Sequence, residues 1–386
     1  MLTDTFDTRE EEIMKKLADF QNKDYSFTSG RILGSMCSQP HPIAKKAYYQ
    51  FLETNIGDPG LFPGTKEIEK HFLSFILKFL NAPSTASGHI VSGGTEGNIA
   101  AMWIAKQLTE KKEIILPKSA HFSFQKIASL MNMNLTTIQV TTDQKIDISQ
   151  IRKKITKDTA AIVGIAGTTD VGAIDPIEEL SEICNEEHIF FHVDAAFGGF
   201  IIPFLRQVGY DLPCVDFTMP GISTISLDAH KMGYAAIPLG TLILRNKSWL
   251  EEISVKSQCI STKTQAGILG TRSGAPVAAG YAITEYLGIK GYQQLVKNIM
   301  NLTKYTLQKI KDIGLDLVTK PMLNVVTVRV IHLDEIVDTL AIKGWKVNKV
   351  DHLSAFRIVI MPQITKSIID EFIPILEQTC KEVGEL

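Results

Sequence analysis

The chain has 386 residues, of which 45% are hydrophobic and 21% are charged, so it is long enough for one large domain and a smaller one. Its 40 Lys and Arg residues nearly balance its 42 Asp and Glu residues, which argues against nucleic acid or an anionic membrane surface as a partner. Five scattered cysteines predict reduced thiols, and an acidic N-terminus without a long apolar run predicts a soluble cytoplasmic protein.

The N-terminal part of the chain reads as helices joined by a rigid loop. Helical patterns near residues 8–20 and 43–52 predict an arm, residues 1–54, that packs on a neighbouring element. Residues 55–65 are rich in glycine and proline, and such a loop either shapes a pocket or simply connects two helices. An amphipathic helix is predicted next, at 68–80.

From residue 88 to 245, short apolar runs alternate with helical patterns, which predicts a mainly parallel sheet covered by helices. Seven runs are candidate strands, at 89–91, 113–116, 135–140, 160–166, 189–193, 224–227 and 240–244. The intervening helices are predicted at 95–110, 122–132, 147–156 and 176–187. Asp175 is expected to cap the last of these helices, with Pro176 as its first residue.

After residue 245 the pattern changes to two long helices, predicted at 265–287 and 292–313. A smaller α/β unit follows, with strands at 324–330, 345–350 and 356–360 and helices near 334–343 and 365–383. These elements predict a large domain over residues 55–290 and a small C-terminal domain over 291–386.

A glycine-rich segment, Ser92-Gly-Gly-Thr-Glu-Gly-Asn98, lies between a predicted strand and a predicted helix. Glycines there expose backbone N–H groups, and the helix start carries a partial positive charge, so the segment suits an anion. It matches neither the Walker A pattern nor the dinucleotide-binding pattern. On this segment alone, a phosphate site and a tight turn stay open as alternatives.

Two apolar runs farther along the chain end in charged residues. One delivers Asp194, and the other leads to His230 and Lys231. Ligands of open α/β folds bind at such strand ends. A lysine and a carboxylate at one sheet edge fit a pyridoxal phosphate site, where the lysine forms a Schiff base and the acid partners the pyridinium nitrogen. The upstream glycine-rich segment then becomes the anchor of the cofactor's phosphate.

Further candidate residues follow other strands. His121 stands where an imidazole can stack on a flat ring, although a lone histidine is more often an ordinary surface or core residue. Thr168 and Thr169 follow a buried strand and are candidates to reach the ring hydroxyl. Arg357 lies inside an apolar strand, where its charge needs a partner, either a substrate carboxylate or an acid of the other domain.

A metal site is the alternative for one histidine-containing stretch. His188, His192 and Asp194 are close together in sequence. However, His192 and Asp194 alternate with apolar residues along a strand, and no fourth ligand is placed nearby. We therefore expect no metal.

Taken in order, the motifs resemble those of the group II pyridoxal-phosphate-dependent amino-acid decarboxylases. They are the glycine-rich segment at 92–98, Ala-His-Phe-Ser at 120–123, Gly-Thr-Thr at 167–169, His-Val-Asp-Ala-Ala-Phe-Gly-Gly at 192–199, Asp-Ala-His-Lys-Met-Gly at 228–233, Leu-Gly-Thr-Arg at 269–272 and Arg-Ile-Val-Ile-Met-Pro at 357–362. The compact length and the loop at 55–65 are most similar to archaeal L-tyrosine/L-aspartate decarboxylases. Those enzymes make tyramine or β-alanine for methanofuran or coenzyme A biosynthesis.

The resemblance implies a fold type I (aspartate-aminotransferase-like) architecture and a homodimer with shared active sites. It implies Lys231 as the Schiff-base lysine and Asp194 as the pyridinium partner. The remaining implied contacts are His121 and Ala196 on the two ring faces, Gly94, Thr95 and His230 at the phosphate with Thr271 of the neighbouring subunit, Thr168 at the ring hydroxyl, Arg357 at the substrate's α-carboxylate and Asp58 near the substrate pocket.

One departure from the family pattern concerns the proton donor. Relatives often carry a tyrosine on a loop after the lysine, whereas residues 254–264 contain none. His121, Tyr234 and water are the alternative donors. The missing tyrosine also leaves open a carbon–carbon lyase, a decarboxylation-dependent oxidative deaminase or, as a non-enzyme, a catalytically silent fold relative.

Overall fold

The computed structural model describes residues 2–258 and 261–386 and is built around a central β-sheet. Its strands are β1 (Ser87–Val91), β2 (Glu113–Pro117), β3 (Asn134–Ile138), β4 (Thr159–Ile165), β5 (Phe190–Asp194), β6 (Ile222–Asp228) and β7 (Gly240–Leu244). In the described part of the chain they form one seven-stranded sheet in the order β1-β7-β6-β5-β4-β2-β3. Every strand predicted for this region is confirmed.

The sheet is mainly parallel, as predicted. Of its seven described strands, only β7 runs antiparallel to its neighbours, β1 and β6, and the other pairings are parallel. Strands β4 to β7 are buried along their whole length. Continuous burial of this kind requires helices on both faces of the sheet. The helices that follow the strands are α4 (Gly94–Thr109), α5 (Ser123–Met131), α6 (Ile148–Lys154), α7 (Ile177–Glu186) and α8 (Ile202–Gln207).

The prediction that Asp175 caps α7 is wrong. The helix begins at Ile177, and Pro176 occupies the cap position. Asp175 is fully buried, and its carboxylate accepts hydrogen bonds from the backbone N–H groups of Ile146 and Ile165, both at 2.8 Å. Burial outweighs these bonds and raises the pKa of Asp175 to about 6. The carboxylate therefore links two chain segments and does not cap the helix.

The prediction of a helix from residue 265 is also wrong at its start. Residues Thr264–Ala266 form β9, which pairs with β8 (Ser254–Lys256) in a short hairpin. Gly267 follows with a left-handed φ of 91°, which a continuing helix does not tolerate. The helix α9 begins at Ala275 and extends to Asp312, with a break at Gly288 where two helices were predicted.

Three further helices precede the central sheet in the chain. They are α1 (Leu2–Gln21), α2 (Pro42–Gln50) and α3 (Pro63–Phe79), and both α2 and α3 pack on α9. Helix α1 leaves Ile13, Met14, Leu17 and Phe20 between 49% and 63% exposed. None of the described helices has the length and apolar character needed to cross a membrane.

The small C-terminal unit contains an antiparallel sheet in the order β10-β12-β11, formed by β10 (Val325–Arg329), β11 (Asn348–Val350) and β12 (Ala355–Val359). Helices α10 (Leu333–Ile342) and α11 (Lys366–Glu382) belong to the same unit. The predicted boundary at residue 290 falls within α9, two residues after its break. The boundaries at residues 54 and 290 stay predictions.

The N-terminal segment reaches the small unit before it reaches the large one. The backbone N–H groups of Leu33 and Gly34 both donate to Lys346 O at 2.8 Å, and Val359 N donates to Leu33 O at 2.7 Å. A few residues later, Ser38 N donates to His230 O at 3.3 Å. Residues 33–38 thus run from the small sheet to the end of β6.

Candidate active site

A cavity of about 360 Å³ lies at the carboxyl ends of β4, β5 and β6. This is the edge at which a parallel sheet places its ligands. The structure brings together seven of the residues singled out from the sequence, namely Gly94, Thr95, His121, Asp194, Ala196, His230 and Lys231. Met36 and Cys37 of the N-terminal segment close another side of the same cavity.

One wall of the cavity is the start of α4. The helix begins at Gly94 and is capped by Gly93 without a side-chain hydrogen bond, so its first N–H groups face the cavity free of a side-chain cap. A Cβ atom at position 94 would lie 2.9 Å from the Cβ of Ala196. The glycine therefore provides room that any side chain would fill, as a site for a phosphate requires.

Asp194 ends β5 with both carboxylate oxygens hydrogen-bonded. Oδ2 accepts from Asn98 Nδ2 at 2.8 Å, and Oδ1 accepts from Ala196 N at 3.0 Å. Asn98 in turn donates to Ser123 Oγ at 3.1 Å and accepts from Ser226 Oγ at 3.0 Å. Asp194 is only 6% exposed. Its carboxylate is thus held in one orientation by the Asn98 side chain, whose amide nitrogen and oxygen are both hydrogen-bonded.

His192 extends this buried network. Its Nε2 lies 2.9 Å from Asn98 Oδ1, and its Nδ1 lies 2.8 Å from Thr224 Oγ1. Burial lowers the pKa of His192 to about 4, with Asp194 acting in the opposite direction, so the ring is neutral at physiological pH. Among the described residues, no group of three or more His, Cys, Asp or Glu side chains is arranged to hold a metal ion.

Lys231 lies just beyond β6, beside a carboxylate that the sequence interpretation did not single out. Its Nζ is 3.3 Å from Asp228 Oδ2, and Asp228 is 2% exposed. His230 Nε2 is 3.6 Å from the same oxygen, while its Nδ1 lies 2.9 Å from Leu239 O and 3.2 Å from Leu239 N. Burial is the main cause that lowers the pKa of His230. The lysine therefore carries the charge that balances Asp228.

His121 stands at the rim of the cavity after β2. Its Nδ1 accepts a hydrogen bond from Ser123 N at 3.2 Å, and its ring centroid lies 4.0 Å from that of Phe122. Burial is again the main cause that lowers its pKa, and Asp194 opposes the effect. The ring is thus neutral and has a fixed orientation, which suits stacking on a flat ligand.

The two threonines after β4 separate in the structure. Thr168 is buried, and its Oγ1 accepts from Ala173 N at 3.0 Å. Thr169, the second threonine considered, lines the cavity instead. Whether either hydroxyl reaches the ring of a cofactor stays a prediction.

Arg357 lies behind Thr169, outside the cavity lining. Its Nη1 donates to Thr169 O at 2.7 Å, and its Nη2 donates more weakly to Gly34 O at 3.4 Å. Its Nε has no partner among the described residues. Among the described residues, the guanidinium therefore binds backbone carbonyls and does not form the interdomain ion pair that was the alternative. Burial lowers its pKa, and nearby Asp170 opposes this.

Three other predicted residues lie away from this chain's own cavity. Asp58 is half-buried and accepts from Ser261 Oγ at 2.5 Å, a bond that holds its pKa below the usual range. Thr271 is exposed in the loop before α9. Tyr234 packs edge-on against His41, with ring centroids 5.4 Å apart. The predicted segment 254–264 includes Cys259 and Ile260, which lie outside the described residues.

A match to a known family decides the class of protein. The sequence model of the pyridoxal-dependent decarboxylase conserved domain matches residues 60–331. The chain belongs to this decarboxylase family. A probable L-tyrosine/L-aspartate decarboxylase of Methanothermobacter thermautotrophicus is 44% identical over 356 residues, which cover 91% of this chain and 98% of that protein. The resemblance predicted from the motifs is therefore confirmed.

Solved structures confirm the fold predicted for the decarboxylase. Sphingosine-1-phosphate lyase of Burkholderia pseudomallei matches with a TM-score of 0.87 and 26% identity, covering 97% of this chain and 90% of that chain. Glutamate decarboxylase of Lactobacillus brevis matches with a TM-score of 0.88 and 21% identity, covering 97% and 92%. The decarboxylase is thus a fold type I, pyridoxal-phosphate-dependent carboxy-lyase.

The residues present fit the cofactor that the family requires. The cavity falls in the size range of small-molecule sites. It offers an uncapped helix start for a phosphate, a lysine that an aldehyde can reach, and a carboxylate whose orientation is fixed. Asp228 and Asn98 complete this set, and the sequence signal for both was present, since each belongs to a motif already quoted.

Proposed function

We propose that this enzyme removes the α-carboxylate of L-tyrosine, L-aspartate or both, producing tyramine or β-alanine. The observation that carries the proposal is the convergence of Lys231, Asp194 and the uncapped start of α4 on one cavity. The name and the 44% identity of the Methanothermobacter relative support the choice of substrates. In a cytoplasmic setting, such amines would supply methanofuran or coenzyme A biosynthesis.

The cavity lining bears on the choice between these substrates. Met36, Phe197 and Ile237 offer apolar surface on which an aromatic side chain can pack. Among the described residues that line the cavity, Lys231 is the one lysine or arginine, and its Nζ stands 3.3 Å from Asp228. A second carboxylate on the substrate therefore lacks a counter-charge from this part of the chain. We expect tyrosine to be turned over at least as well as aspartate.

The residues of the large domain would hold pyridoxal phosphate in a fixed orientation. When bound, pyridoxal phosphate supplies the electron sink that accepts the electron pair left behind as CO₂ departs. Lys231 would carry it covalently, and Gly94, Thr95 and His230 would bind its phosphate. Asp194 would keep the ring nitrogen protonated, because an anion held beside it favours the charged form.

Two side chains would hold the ring plane between them. His121 at the rim presents a neutral imidazole to one face, and Ala196 presents its methyl group to the other. The small alanine matters because its Cβ already approaches Gly94, so a larger residue would enter the phosphate site. Of the two threonines, Thr169 lines the cavity and Thr168 is buried behind it.

Arg357 would act on the substrate's α-carboxylate, directly or by fixing the backbone at Thr169, which borders the cavity. Its Nε is buried and has no partner among the described residues, so the guanidinium keeps one donor unsatisfied. Fixing the carboxylate decides which bond at the α-carbon stands perpendicular to the ring and therefore breaks. The rate of decarboxylation would thus depend on a residue that is itself outside the cavity lining.

A homodimer would complete the site. Thr271 is exposed and Asp58 is half-buried, and both lie away from their own chain's cavity, so a second copy could bring them to its own cavity. Helix α1 exposes Ile13, Leu17 and Phe20, an apolar face that a second copy would cover. Sedimentation velocity measures this directly. Thr271→Ala should weaken phosphate binding, and Thr142→Ala, at an exposed threonine elsewhere, should not.

A substrate panel tests the proposed reaction. Purified enzyme with added pyridoxal phosphate is incubated separately with L-tyrosine, L-aspartate, L-glutamate and other amino acids, and both CO₂ and amine are quantified. From wild type we expect CO₂ and amine, either tyramine or β-alanine, in equal amounts. Lys231→Ala should not turn over repeatedly. Aldehyde in place of amine would identify an oxidative deaminase, and amino-acid cleavage without CO₂ would identify a carbon–carbon lyase.

A further inference from the structure

Three buried carboxylates line the cavity, those of Glu96, Asp194 and Asp228. Glu96 accepts a hydrogen bond from Ser92 N at 2.7 Å. Asp228 lies at the end of β6 and is 2% exposed. Both oxygens of Asp194 accept hydrogen bonds, whereas Oδ1 of Asp228 has no partner among the described residues. A buried anion with an open acceptor is costly unless a cation stands beside it. The identity and position of that cation indicate the role of Asp228.

Lys231 is the cation beside Asp228. Its Nζ is 3.3 Å from Oδ2, whereas His230 Nε2 is 3.6 Å away and burial favours its neutral form. The carboxylate also borders the phosphate site, since a Cβ on Gly94 would lie 3.3 Å from the same oxygen. Asp228 thus fixes the place to which the ε-amino group returns whenever it is not covalently engaged.

The reaction needs an acid at this place. After CO₂ leaves, the α-carbon must receive a proton, and the segment 254–264 contains no tyrosine to give it. Tyr234 packs against His41 outside the cavity lining. His121 is in the cavity, but burial lowers its pKa and leaves it mostly without a proton to donate. Lys231 also lines the cavity, and its Nζ lies 3.3 Å from Oδ2 of Asp228, a geometry suited to holding an ammonium group.

We propose that Asp228 is a positioning residue that holds the ε-ammonium of Lys231, and that Lys231 held in this way donates the proton to the α-carbon after decarboxylation. The inference rests on the proposed function, because it assumes a substrate that loses CO₂. It assigns to the Asp228–Lys231 pair the task that a loop tyrosine performs in relatives.

The proton balance closes within the site. The substrate's amino group enters as an ammonium, and its protons become those of Lys231 when the ε-amino group is released. One N–H bond of Lys231 breaks, and one C–H bond forms at the α-carbon with the electron pair left by CO₂. Lys231 is then a neutral amine with a free lone pair, which is the nucleophile needed to release the product and begin the next turnover.

The first test measures Lys231 in the cofactor-free protein, without catalysis. Lysines are labelled with a small acylating reagent over a range of pH, and labelling at Lys231 is quantified by mass spectrometry. The titratable groups that face Lys231 are Asp228, His230, His121 and Cys37. Asp228→Asn removes an anion at 3.3 Å and should increase labelling at neutral pH by about tenfold or more.

Two variants control this measurement. Asp228→Glu keeps the charge and should restore most of the protection. Asp194→Asn removes another buried carboxylate of the cavity, which is bound to Asn98 and Ala196, and should change labelling of Lys231 much less. Equal labelling of Lys231 in wild type, Asp228→Asn and Asp228→Glu would overturn the pairing.

The second test separates CO₂ release from proton return. Lys231→Ala is mixed with pyridoxal phosphate and the accepted substrate, and CO₂ and amine are followed through one turnover. CO₂ should appear well before the amine, and added methylammonium should accelerate the amine alone. Simultaneous release from Lys231→Ala, with separation in His121→Gln instead, would overturn the proposal and assign the proton to His121. Failure of the proposed function is distinct, because wild type would then release no CO₂ from any amino acid.

Discussion

Replacing Asn98 by alanine should disable the site without touching any residue that faces the ring. The Asn98 side chain makes four hydrogen bonds, to Asp194, Ser123, Ser226 and His192, at distances between 2.8 and 3.1 Å. All of these partners are buried, so water does not simply replace the missing amide. The variant therefore leaves four polar groups to find new partners.

The size of the effect follows from this contact set. A hydrogen bond to the charged Asp194 contributes about 1.5 to 3 kcal/mol, and each neutral bond contributes about 1 kcal/mol. The bonds share one amide and are not additive, so we expect the free energy of unfolding to fall by about 3 to 5 kcal/mol. The affinity for pyridoxal phosphate should fall as well, because the orientation of Asp194 is no longer fixed.

Asn324 provides the matched control. It is fully buried, and its Nδ2 donates to Ile360 O at 2.9 Å, but its Oδ1 has no partner in the described chain. Asn324→Ala should lower the free energy of unfolding by only about 1 to 2 kcal/mol and should keep cofactor affinity. Urea denaturation and cofactor titration measure both quantities. Equal losses in both variants would refute the role of Asn98.

Three further predictions concern single residues. Lys231→Ala should lose the visible absorbance of protein-linked cofactor after gel filtration, and retained absorbance would contradict the assignment. Arg357→Lys should raise KM and lower kcat together, because one ammonium cannot span Thr169 O and Gly34 O, while loss of cofactor instead would mark Arg357 as structural. Asp175 has a pKa of about 6 in the folded state against an ordinary 3.8, so folding takes up a proton between these values. The free energy of unfolding of wild type, relative to that of Asp175→Asn, should therefore fall by about 2 to 3 kcal/mol as the pH rises from 4 to 7. Urea denaturation measures this, and midpoints of the two proteins that change equally with pH would contradict it.

The strands could be predicted because their sequence signal is strong. Strand β4 is buried along its whole length and reads as an almost uninterrupted apolar run. The start of α9 could not be predicted in the same way, since Gln265 and Ala266 suit a helix locally but pair with β8 in the folded chain. Helical propensity is overridden there by the pairing of a hairpin.

The site also combines residues that could be predicted from the sequence with residues that could not. Lys231 and Asp194 could be predicted because each follows an apolar strand directly. The role of His192 in a buried network could not be predicted by sequence, since its partners Asn98 and Thr224 come from other parts of the chain. The position of Arg357 against a backbone carbonyl was also inaccessible, because a carbonyl acceptor leaves no mark on the residue type that bears it.

The path of residues 33–38 has a consequence for synthesis of the protein on the ribosome. Met36 and Cys37 line the cavity, yet the hydrogen bonds that hold this segment go to Lys346 and Val359, more than 300 residues later. A nascent chain folds its early elements first, and contacts of such separation form late. The cavity therefore cannot close until residue 359 has left the exit tunnel, so the emerging chain exposes Lys231 before the pocket around it is finished.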